Sequence, residues 1–163
     1  MSVNKNQPHV FVLPEDRANR QLANGFHLQV PWNRRRQMQV LEEVGGWNRV
    51  LDVFESEHVT EMLRCEHRLM VLLIDFDNME DRRERAMARI PQTLYDRVFI
   101  LGTWTQPEAL KQALGSYEKI GSDMAQDCRE NTDKIWAHPL LRHNASELDR
   151  LREHVLPILF QTG

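Results

Sequence analysis

The chain has 163 residues, of which 41% are hydrophobic and 28% charged, with a formal net charge of −3. That is enough for one domain with a real core, and it excludes a global basic field of the kind that advertises nucleic acid or anionic lipid. Two cysteines far apart, Cys65 and Cys128, match neither a disulfide framework nor a zinc motif, and no apolar run approaches the roughly 20 residues of a membrane span. A polar N-terminus, MSVNKNQPH, lacks the apolar core of a signal peptide, so a reducing cytoplasm is expected.

Strand-like and helix-like segments alternate from the start. HVFVLP (9–14) reads as a strand, and DRANRQLANGF (16–26) as a helix with a stop at Asn24-Gly25. A basic connection through Pro31 and Arg34, Arg35 and Arg36 leads to a second strand, QMQVL (37–41), and Gly45-Gly46 turns the chain into a helix over 47–65. RLMVLLIDF (68–76) is the third strand, followed by an arginine-rich helix over 79–90 that Pro91 ends. The fourth unit is RVFILGT (97–103) with QPEALKQAL (106–114). This order predicts an α/β fold: a four-stranded, mainly parallel sheet with helices on both faces. Residues 115–163 read as a helical extension, an appendix to the βα core at 9–114 within one domain.

In the third strand, VLLIDFDN, four branched apolar residues run straight into Asp75 and Asp77. Ligands of open parallel sheets bind beyond the carboxyl ends of the strands, and Asp75, Asp77, Glu15, Thr103 and Trp104 all follow such ends. Carboxylates crowded there repel unless a cation neutralises them, and an all-oxygen set suits a hard ion such as Mg²⁺ or Mn²⁺. If extended structure persists to residue 77, both aspartates emerge on one side and Phe76 on the other.

A glutamate after the first strand (Glu15), a glycine turn after the second (Gly45-Gly46) and a D-x-D closing the third (Asp75, Asp77) resemble the Toprim domain, over about residues 9–114. The nearest type in size and layout is the small stand-alone member related to OLD-type nucleases of bacterial defence loci. The resemblance implies Mg²⁺-dependent chemistry at phosphodiesters, with Glu15, Asp75 and Asp77 as catalytic and metal-binding residues, and an ATPase as a partner subunit. The family often has glycine where Asn78 stands, and no domain with a catalytic tyrosine is evident, which argues against topoisomerase action.

Other residues carry two readings each. Arg82, Arg83 and Arg85 on the third helix, and Arg34, Arg35 and Arg36 in their loop, are candidate phosphate contacts to nucleic acid, or solvated side chains paired with neighbours. Asp16 caps a helix or joins the acids; Thr105-x-x-Glu108 forms a capping box or supplies a ligand. Asp75 and Asp77 themselves can cap a helix beginning near Met79. Trp104 stacks on a base or packs, Gly45-Gly46 approaches a phosphate or only turns, and His138 and His143 match no metal motif. Small size and acidic charge point to extra binding surface from a homo-oligomer or the ATPase. Two rivals remain: a receiver-like phosphoacceptor switch with Glu15-Asp16, Asp75 and Thr103, for which Lys134 is only a loose match to the expected lysine, and a catalytically inactive Toprim-like interaction subunit.

Overall fold

A computed structural model describes residues 2–160. The strands are β1 (His9–Pro14), β2 (Met38–Val40), β3 (Arg68–Leu73) and β4 (Val98–Leu101), all parallel, in the order β2-β1-β3-β4. The α/β architecture expected from the alternation is therefore present.

Parallel neighbours cannot be joined by hairpins, so every connection crosses a face of the sheet. The helices are α1 (Arg17–Leu28), α2 (Trp47–Val53), α3 (Val59–Arg64), α4 (Arg82–Met87), α5 (Pro107–Leu114), α6 (Tyr117–Glu130), α7 (Ala145–His154) and α8 (Leu156–Phe160). A π-helical turn, Phe54–His58, joins α2 to α3, so the expected helix over 47–65 is continuous in outline but widened in the middle. Side-chain alternation along the strands sorts the core into two layers. Val10, Val12, Leu69, Val71, Phe99 and Leu101 face α1 and α5–α8, while Phe11, Leu13, Met70, Leu72, Ile74, Val98 and Ile100 face α2–α4. Both faces are covered, which is why the strands read as unbroken apolar runs.

Three expectations about boundaries change. The expected helix over 79–90 shortens to α4, because Asp77 and Asn78 adopt left-handed φ values of 49° and 59° and spend the first residues in a turn. The C-terminal segment is helical, as read, but it is also half of one core layer: Ile120, Met124, Leu148, Leu151, Val155 and Leu159 are all buried against the sheet. Residues 161–163 of that extension lie outside the described residues. Gly25 is no stop either, since α1 continues through it to Leu28.

Gly25 and Gly121 explain how α1 and α6 pack. A Cβ at Gly25 would lie 2.1 Å from the Glu118 carbonyl oxygen, and one at Gly121 would lie 1.9 Å from that of Leu22. The two backbones touch, and Ser122 Oγ seals the crossing by donating to the Gly25 carbonyl at 3.1 Å.

The outer edge of β4 is closed by side chains instead of a fifth strand. Ile100 N donates to Glu147 Oε2 at 3.0 Å, Gly102 N to Asn144 Oδ1 at 3.1 Å, and Asn144 Nδ2 returns a bond to Gly102 O at 2.9 Å. Arg83 Nη2 and Arg150 Nη1 donate to the carbonyls of Ile100 and Val98. An unpaired edge is a template for aggregation, and these contacts from α4, α7 and the turn before α7 remove it.

The close helix crossing yields a prediction. Gly25→Ala gains about 1 kcal/mol of helix propensity but forces a backbone overlap costing about 3 kcal/mol, so the variant should lose about 2 kcal/mol. Urea unfolding measures it; a midpoint at or above that of the wild type would contradict the contact.

Candidate active site at the switch point

The chain leaves β1 toward β2 on one side and later returns to β3 and β4 on the other. The order β2-β1-β3-β4 thus puts the topological switch point between β1 and β3, and the crevice for ligands opens above their carboxyl ends. Glu15 follows one of these strands and Asp75 lies just beyond the other.

Main-chain pairing runs past the printed strand ends. Glu15 N donates to Leu73 O at 2.9 Å, Ile74 N to Leu101 O at 2.9 Å and Phe76 N to Thr103 O at 2.9 Å. Asp75 consequently keeps strand-like alternation: it continues the β3 face of Leu69, Val71 and Leu73, and Phe76 continues the opposite one. Glu15 Oε2 accepts the Asp75 N–H at 2.6 Å, joining the two acids directly.

Asp75 is only 6% exposed. Its Oδ1 accepts from Asn19 Nδ2 at 2.9 Å, and Thr103 Oγ1, whose hydroxyl donates to Thr105 O at 2.6 Å, lies 3.3 Å from the same oxygen. Burial pushes its carboxyl up to about 7; the Asn19 bond opposes this, and the charges of Glu15, Asp16 and Asp77 add to it. Glu15 is also raised, first by burial, against the stabilising N–H of Asp75. Asp16 caps α1, with Oδ1 accepting from Asn19 N at 2.8 Å, and the same oxygen takes a bond from Asn19 Nδ2 at 3.0 Å. One amide therefore holds two carboxylates, one from each side of the crevice.

Asp77 stands apart from this pair. Its left-handed φ breaks the extended line on which two same-side carboxylates depended, and Oδ2 accepts from Arg82 Nη1 at 2.8 Å. Among the described residues no group of three or more His, Cys, Asp or Glu is placed to hold a metal ion. The donor chemistry fits a hard cation at Glu15 and Asp75, whose raised carboxyls form no ion pair among the described residues. It does not fit at Asp77, which already has one with Arg82.

The six arginines read as phosphate contacts separate. Arg82 is 6% exposed and bound within the site; Arg83 caps the β4 edge and donates to His143 O; Arg85 is exposed and lies over the Trp47 ring at 5.5 Å. Arg34, Arg35 and Arg36 sit in the 3-10 turn Trp32–Gln37 that enters β2, at the amino edge of the sheet. Strands of six residues span about 20 Å, so these three point to the opposite end from Asp75. Their guanidiniums donate to the carbonyls of Ile158, Val30, Leu28 and Ser2.

The remaining candidates are structural. Gly45 and Gly46 turn their N–H groups onto Glu15 O, at 2.8 and 3.4 Å, so the turn clamps the acid's own backbone. Neither Asp75 nor Asp77 caps a helix, and α5 starts after Gln106 with no side-chain cap, so Thr105-x-x-Glu108 forms no capping box. Trp104 stacks on Phe76 at 6.3 Å, and His143 packs edge-on to Phe76 at 4.6 Å; burial pulls the His143 imidazole down to about 4. His138 Nδ1 accepts from Leu140 N in a local turn. Asn19 and Tyr117 were missed in the sequence. The Tyr117 phenol is raised by burial and then by the charges of Glu108, Asp16 and Asp75. The one signal for Asn19 is its position, one helical turn after Asp16.

No family model matches the chain, and no curated protein or solved structure matches it.

Asp75 sets a pH dependence. Its folded value of about 7 lies above the ordinary 3.8, so between those values the folded chain keeps a proton that the unfolded chain has released. That stabilisation is complete below about pH 4 and is lost as the pH rises to about 7. In metal-free buffer Asp75→Asn should flatten this slope and exceed the wild type in stability at pH 8. Urea midpoints at pH 4, 6 and 8 check it, and an unchanged slope would contradict the assignment to Asp75.

Proposed function

We propose that this chain is a Mg²⁺- or Mn²⁺-dependent nuclease, or the nuclease subunit of a bacterial defence assembly, hydrolysing phosphodiesters of nucleic acid. The observation that supports it best is the meeting of two carboxylates with raised pKa, the partly buried Glu15 and the buried Asp75, at the switch-point crevice. This is where the Toprim resemblance asks for them.

Glu15 and Asp75 would hold the cation, which when bound supplies a Lewis acid for the phosphoryl oxygens and an activated water. The chain's own residues do the positioning. Asn19 fixes the Asp75 carboxylate by a hydrogen bond with Thr103 Oγ1 beside it, and the Asp75 N–H and the Gly45-Gly46 turn fix Glu15 at its side chain and its carbonyl. Arg82 adds fixed positive charge beside the same acids. Of the six arginines first read as phosphate contacts, Arg85 alone is both exposed and near this edge. The bulk of the nucleic-acid surface therefore comes from a second copy of the chain or from an ATPase partner.

A second reading, the phosphoacceptor switch at Asp75, is favoured by one contact, the Thr103 hydroxyl on the Asp75 carboxylate. Against it, the β4 edge is capped where a fifth strand would add, and Lys134 pairs at 4.0 Å with Glu130 near the end of α6. No helix among the described residues is long and apolar enough to cross a membrane.

The test is cleavage of DNA and RNA by the chain with its assembly partners in Mg²⁺ or Mn²⁺. Asp75→Asn and Glu15→Gln should each lower the rate at least about 100-fold with the fold intact. Equal cleavage by both variants would end the nuclease assignment. Labelling of the wild type, but not of Asp75→Asn, by an acyl-phosphate donor would favour the switch instead.

A further inference from the structure

Arg82 is a cation built into the acidic cluster. It is 6% exposed, and its Nη1 donates to both the Asp75 carbonyl and Asp77 Oδ2, each at 2.8 Å. Its guanidinium lies 4.2 Å from the centre of the Trp47 ring, and its Nε–H is buried with no partner.

We propose that Arg82 holds the place of a second metal ion, so that the chain binds one divalent cation, at Glu15 and Asp75, and Asp77 is a partner of Arg82 instead of a metal ligand. This rests on the cation reading of the site given above. Three observations carry it. Asp77 is already neutralised, and the turn at φ 49° takes it off the line of Asp75. A metal ion at Asp77 would share its carboxylate with Arg82 and sit beside a guanidinium that Trp47 and the Asp75 carbonyl hold in place, with like-charge repulsion between the two cations. The guanidinium, held by Asp77, the Asp75 carbonyl and the Trp47 ring, sets a fixed positive charge beside the acids, which is the service a second cation performs in two-metal sites.

The experiment is Mn²⁺ titration of the purified chain, followed by calorimetry and by the electron paramagnetic resonance of free Mn²⁺. The wild type should bind one ion per chain. Asp77→Asn should keep that affinity within about twofold, whereas Asp75→Asn should lower it by about tenfold or more. Asn suits the left-handed backbone at residue 77, so this variant should fold. Arg82→Met frees Asp77 and should raise the stoichiometry to two. If that variant does not fold, the wild-type stoichiometry and the Asp77→Asn affinity decide alone. Two ions on the wild type, or a tenfold loss in Asp77→Asn, would overturn the proposal and leave the cation reading standing. No ion bound to the wild type would overturn both.

Discussion

The constraint on which the rest of the molecule depends is parallel pairing of β1 with β3. Two parallel strands side by side cannot be joined directly, and here the chain leaves the pair in opposite directions, toward β2 from one and toward β4 from the other. No connecting loop can then cross above their carboxyl ends. Whatever residues follow those strands must share the resulting crevice, and in this chain they are Glu15 and Asp75.

Burial makes that convergence chemically distinctive. The same layers that cover both faces of the sheet desolvate Asp75, and the carboxylate is left with the Asn19 amide, the Thr103 hydroxyl oxygen and neighbouring acids around it. Desolvation outweighs the Asn19 hydrogen bond, which is why its carboxyl rises to about 7 instead of falling as a well-solvated, well-bonded acid would. Stability lost at such a place is the usual counterpart of a functional site.

The edges of the sheet show the opposite use of polar groups. Glu147, Asn144, Arg83 and Arg150 complete the hydrogen bonds of β4, and every one of those contacts is directed at a main-chain group. The C-terminal helices thus perform two tasks: one face fills the core layer over β1, β3 and β4, and the start of α7 closes the open edge. The close α1–α6 crossing at Gly25 and Gly121 ties that layer to the helix that carries Asp16 at its cap and Asn19 in its first turn.

The sequence by itself determined the alternation of strands and helices, the two-faced burial of β1 and β3, and the presence of acids at their carboxyl ends. Those features are local: apolar runs, turn residues and strand length suffice to read them. Asp16 as a cap was legible for the same reason. Which acids act together was not. Asp75 and Asp77 are two residues apart in a pattern that promises a shared face, yet a left-handed turn and the guanidinium of Arg82 separate them. Arg83 looked like its neighbours, but the next residue along a short helix faces a different surface, and there it meets the β4 edge. Arg34, Arg35 and Arg36 precede a strand whose direction only the sheet defines, and that direction carries them to the far edge. Gly25, in the pattern of a helix stop, sits inside a helix because α6 supplies a surface close enough to require the missing side chain. Pairings across 50 residues or more, such as Asn19 with Asp75, are set by packing of the whole chain, and no local pattern encodes them.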